Sequence, residues 1–97
     1  MKLNVYSVYD SKAEAFLPPF FLPMEGQALR IFQNTANNKD HDFGRNPMDY
    51  TLFKLGEFDD DNGLLVPLTT PKNLGSAEEH KNAPQIPEPQ LVKEEDC

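Results

Sequence analysis

The side chains with the most usable chemistry in this chain are aromatic and cationic. Tyr6, Tyr9, Phe16, Phe20, Phe21, Tyr50 and Phe53 crowd a short sequence, and Lys2, Lys12, Arg30, Lys39, Arg45 and Lys54 are scattered among them. Aromatic faces beside cations suit single-stranded nucleic acid. Each stacked base contributes on the order of 1–3 kcal/mol, every base has a π-face, and the cation meets the phosphate. On this reading Lys2, Tyr6, Tyr9, Lys12, Arg30, Arg45, Tyr50 and Lys54 are the candidate DNA-binding residues. The competing reading is that the aromatics fill a core, which in a small domain needs large side chains. It applies most strongly to Phe32 and Phe53. Lys54 interrupts an apolar run, which suits either a solvated edge or a phosphate contact.

Other constellations fail on spacing. Asp59-Asp60-Asp61-Asn62-Gly63 resembles a calcium loop in composition only. With Gly63 as the loop glycine, the first and last ligand positions fall on Phe58 and Thr69, neither a carboxylate. A charged hairpin turn accounts for the stretch. Asp40-His41-Asp42 with the distant His80 lacks a neighbouring thiol and reads as a solvated loop. No P-loop, glycine-rich phosphate cradle, zinc spacing or supported Ser/His/Asp set is visible, so the sequence predicts no enzyme, no metal and no cofactor.

Composition limits the partners. The 97 residues carry nine Lys+Arg against sixteen Asp+Glu, a net charge of −7, which argues against coating nucleic acid by charge alone. The excess is uneven: the net is −3 through Gly75 and −4 from Ser76 onward. The one cysteine, Cys97, has no internal disulfide partner. No apolar run approaches the roughly 18 residues that cross a bilayer, and the first ten residues lack a signal-peptide core. A soluble, intracellular protein without a membrane partner is expected.

The elements that must position these side chains are short. Residues 2–10 alternate loosely, with Leu3, Val5 and Tyr9 on one face and Tyr6 and Val8 on the other, and predict a first strand. A short partner strand is expected over 13–17, ended by Pro18-Pro19. Phe20-Phe21-Leu22-Pro23 is an apolar connector, and 24–37 predicts a helix with Ala28, Leu29, Ile31, Phe32, Thr35 and Ala36 on one face. A polar loop follows over 39–47, with a short helical turn from Asn46-Pro47.

The central hairpin is read from Tyr50-Thr51-Leu52-Phe53-Lys54-Leu55, the Asp59–Gly63 turn and a return strand Leu64-Leu65-Val66. Pro67 should keep that return strand brief and at an edge. Tyr50, Leu52 and Phe58 are placed on one side, Phe53 and Leu55 on the other, so both sheet faces carry apolar groups. Something should cover the second face: the Phe20-Phe21 connector, a second subunit, or a ligand with flat apolar surfaces.

The expected architecture is α+β: an antiparallel sheet of three to four strands with one main helix on a face, residues 1–75 forming the body. Residues 76–97, rich in Pro, Glu, Gln and Lys, are expected to be a disordered acidic tail. Such a tail can compete with nucleic acid for the basic surface, dock partner proteins, or only solubilise.

Two blocks, YSVYDSKAEAF…PFF (6–21) and DYTLFKLGEFDDDNG (49–63), with the helix GQALRIFQNTAN, resemble the small non-structural DNA-binding protein of gokushoviruses, single-stranded DNA phages of the microvirus family. The resemblance covers about residues 1–75. It implies DNA binding and a part in the change from double-stranded replication to single-stranded genome synthesis and packaging, in the host cell cytoplasm and outside the capsid. It carries over no binding residue. Single-stranded DNA and a second copy of the chain, as a dimer, are the expected partners. The alternative is an adaptor that docks a phage or host replication protein through the acidic tail or the uncovered sheet face.

Overall fold

The computed structural model describes residues 1–82. Their order is β1 (Lys2–Asp10), β2 (Ala15–Phe16), β3 (Phe20–Leu22), α1 (Glu25–Ala36), α2 (Asp42–Arg45), a 3-10 turn (Pro47–Asp49), β4 (Tyr50–Asp59), β5 (Leu64–Ser76) and α3 (Ala77–Asn82). All strand pairings are antiparallel, and the sheet runs β2-β1-β4-β5 with β3 also paired to β1. The α+β class and the single main helix are as expected. The sheet has five strands rather than three to four, because Phe20–Leu22 is a strand and not only a connector.

The hairpin forms where turn chemistry places it. Gly63, at φ +76°, donates to the Asp59 carbonyl at 2.8 Å, and the Asn62 side chain accepts from Leu64 N–H at 2.9 Å. Beyond the turn β5 differs from expectation: it is 13 residues long, not three. Pro67 and Pro71 do not end it, because β5 is the edge strand and each missing donor can point away from the ladder.

A bulge resets the side-chain alternation of β4. Val5 pairs with Gly56 but Tyr6 pairs with Lys54, which leaves Leu55 as an extra residue. Tyr50 and Leu52 share one side, as expected, and that side faces α1; Phe58 lies on the opposite side with Phe53, which corrects its placement beside Tyr50 and Leu52. At the same point Gly56 pairs with Pro67 and Lys54 with Lys72, so residues 68–71 arch out opposite Leu55. Gly56 permits this close approach, since a Cβ there would strike the Val66 carbonyl.

The core lies between α1 and one sheet face. Tyr6, Val8 and Leu52 from the sheet meet Ala28, Phe32 and Ala36 from α1, with Phe20, Leu22, Phe43, Tyr50 and Leu74 around them. Burying a side chain such as Phe32, 2 % exposed, contributes about 1.5–3 kcal/mol. The small Ala28 and Ala36, both fully buried, let the helix approach the strands.

Ser76–Asn82 departs from the expected disorder. Ser76 Oγ accepts from Glu79 N–H at 3.1 Å and the Glu79 carboxylate accepts from Ser76 N–H at 2.8 Å, a reciprocal cap that starts α3. Ala77 is fully buried, and His80 meets the edge of Phe32 at 5.3 Å. The ordered body thus runs past residue 75. The rest of the predicted tail, 83–97, lies outside the described residues.

Candidate nucleic-acid interface

The sheet face turned away from α1, called the open face below, collects the aromatics that the core does not use. Its rows follow from register. Leu3, Phe58 and Leu65 form one row, and Phe21, Val5, Gly56 and Pro67 the next. Ser7, Phe53 and Asn73 form a third; Phe16, Tyr9, Thr51 and Ser76 a fourth.

Two aromatic groups result. Phe16 meets Tyr9 at 5.0 Å and Phe53 at 5.6 Å, both edge-on, and Phe21 meets Phe58 edge-on at 5.5 Å. The second row, between them, forms an apolar groove of about 170 Å³ with Val5, Pro19, Leu55, Leu65 and Pro67 in its wall. Phe16 is 45 % exposed and Phe21 41 %, so each group presents a ring to solvent. Beneath them Ser7 is fully buried, and its hydroxyl donates to the Leu17 carbonyl, which fixes β2 against β1. The exposed parts of the Phe16 and Phe21 rings are surface on which a base or an apolar side chain can stack.

The eight candidate residues are not brought together. Tyr9 lies on the open face, and Lys12 sits exposed at its end, in a turn whose Asp10 carboxylate accepts from the backbone of Lys12 and Ala13. Tyr6 is fully buried against α1 and stacks on Phe20 at 5.7 Å, so no base reaches it. Burial raises its phenol pKa above the ordinary range, and the Asn4 side chain opposes the shift. Tyr50 packs on Phe43 at 4.6 Å beside the core; burial raises its phenol too, reinforced by Asp10, Asp42 and Asp49. Tyr6 is structural, which corrects its assignment as a stacking residue; Tyr50, half-buried, lies on the α1 side, away from the open face.

The cations are dispersed. Lys2 and Lys54 lie on the α1 side of the sheet, where Lys54 has Glu57 at 3.9 Å and Lys72 across the ladder. Arg30 is exposed on α1. Arg45 is spent on the Asp40 carbonyl and the Asp42 carboxylate. The strand positions of the open face carry no basic side chain among the described residues. Phe21, Phe53 and Phe58 are the face's aromatics missing from the predicted set, along with Phe16. In the sequence Phe53 reads more strongly as core than as a stacking ring, and the bulge at Leu55 hides the side that Phe58 takes.

The acidic turn behaves as a cation holder of another kind. The carboxylates of Asp59, Asp60 and Asp61 lie within 4.8 Å of one another. The Met1 ammonium donates to Asp60 at 2.8 Å and Asp61 at 2.9 Å, with Asp59 at 4.0 Å. These hydrogen bonds, that to Asp60 foremost, raise the amino group above its usual pKa.

The family model described as Phage ORF5 protein matches residues 3–80, from the second residue of β1 into α3, and so takes in the open face. No curated protein and no solved structure matches the chain.

Proposed function

The chain belongs to the Phage ORF5 protein family, and on that premise we propose that it is a non-structural protein of gokushovirus type that binds single-stranded DNA. The observation that supports this most is the pair of aromatic groups on the open face, with Phe16 and Phe21 presenting rings to solvent. Bases of an unpaired strand stack on Phe16 and Phe21, and Lys12 meets a phosphate at one end. A duplex keeps its bases stacked inside and offers nothing to such a face, so the preference is for single strands. The protein acts in the host cytoplasm as a dimer, sequestering new strands as replication gives way to genome synthesis and packaging.

Titration of labelled oligo-dT at low and high salt tests the reading. Binding at low salt that is lost on Phe16→Ala and Phe21→Ala supports it; no binding by the intact chain refutes it.

The second reading is a replication adaptor. Its support is the net charge of −7 and an open face whose strand positions hold no cation. Here the open face docks a phage or host replication protein, and DNA association is indirect. A pull-down from infected cells separates the two, since partners that persist after nuclease belong to the adaptor.

A further inference from the structure

We infer that a second copy of the chain pairs with the outer edge of β5, antiparallel and centred on Leu65, joining two sheets into one. The inference rests on the dimer reading above and says where the two copies meet.

β5 ends the strand order, so its outer backbone groups have no strand partner among the described residues. On that edge Leu64, Leu65 and Val66 are 60 %, 60 % and 59 % exposed. Consecutive strand residues alternate faces: Leu65 lies opposite Phe58 on the open face, Leu64 and Val66 opposite Asp59 and Glu57 on the other. An occupant lying on either face would cover only part of the triplet. A strand added in the plane flanks all three and satisfies the free ladder as well.

Charge identifies that strand as a copy of β5. The protein is acidic, yet Leu64 to Pro71 holds no charged residue, so two copies repel least along this edge. A parallel arrangement would set the two Asp59–Asp61 turns side by side. The antiparallel one sets each turn beside the uncharged residues 68–70 of the other copy. Pro67 cannot donate, which confines the ladder to the triplet, and centring on Leu65 pairs Leu64 with Val66 of the other copy. The pairing is self-complementary and closes at two copies.

The axis of such a pair runs perpendicular to the sheet, so both open faces point the same way. The stacking surface becomes continuous across the dimer.

Light scattering on the full-length protein over a range of concentrations tests this, with Leu64→Lys/Val66→Lys as the variant. Both new lysines stand across from carboxylates of the same copy, and a thermal melt confirms that the variant folds. The expected result is a dimer for the native chain and half that mass for the variant. Leu65→Cys in a Cys97→Ser background should also form a disulfide dimer on mild oxidation. A native chain that stays monomeric overturns the inference. So does a dimer that survives the lysines, or one lost instead on Phe16→Glu, which would seat the second copy on the open face. Oligo-dT titration is read separately: a dimer disrupted by the lysines that binds no DNA supports the edge pairing and refutes only the DNA reading.

Discussion

At the residue scale the decisive distinction is between aromatics that face α1 and aromatics that do not. Phe16 is 45 % exposed and touches Tyr9 and Phe53, so its truncation removes stacking surface without opening the core. Phe16→Ala is expected to weaken oligo-dT binding by about 1–3 kcal/mol, measured by fluorescence titration, with little change in the thermal midpoint. The two tyrosines on the α1 side make a different prediction. Tyr6 and Tyr50 hold their protons above the usual phenol range in the folded state, chiefly through burial. Above the unfolded pKa of about 10 the unfolded chain releases those protons and the folded chain retains them, so stability falls as pH rises further. Below that pH the contribution is complete. Far-UV circular dichroism with phenolate absorbance should show unfolding coupled to ionisation there, and Tyr6→Phe/Tyr50→Phe should shift the transition to higher pH.

At the element scale two features are exacting. A Cβ at position 56 meets the Val66 carbonyl and the Pro67 Cα, both backbone atoms that cannot rotate away. Gly56→Ala is therefore expected to destabilise by roughly 1–3 kcal/mol, read from the urea midpoint. α3 is the other: a chain ended after Gly75 loses Ala77 and the His80–Phe32 contact, and should melt at a lower temperature than one ended after Asn82. Much of the layout was legible from local chemistry. The alternation of Leu3, Val5 and Tyr9, the three- and four-residue spacing of the α1 face, and the Asn62-Gly63 turn each name their element. The misses have physical causes. Pro67 and Pro71 read as terminators because their tolerance depends on β5 being an edge, which is a tertiary fact. The Ser76…Glu79 cap was present as a start signal but lay in an acidic, proline-rich stretch whose composition outweighed it. The candidate site fared worse than the fold, since stacking rings and core rings differ only in which face they take, and one bulge decides that for Phe58.

At the scale of the whole molecule, charge and shape pull apart. The open face offers rings but no strand-borne cation, and the chain is net −7. If Lys12 and one further cation make the phosphate contacts, the slope of log affinity against log salt should be about −1.4, shallow for a DNA-binding protein. Oligo-dT titrations at several salt concentrations measure it; a slope several times steeper would assign the affinity to charge and move the site to the Lys54 and Lys72 side. The extra residue at Leu55 has a consequence on this scale too. It works as a phase shifter in a two-beat pattern: β4 keeps one beat for the helix and the other beat for the hairpin tip. Removing that one codon would leave Lys54 and Gly56 in regular alternation and Phe58 still on the open face, whereas a strand that kept Leu55 but lost the bulge would turn the Phe58 ring toward the helix side.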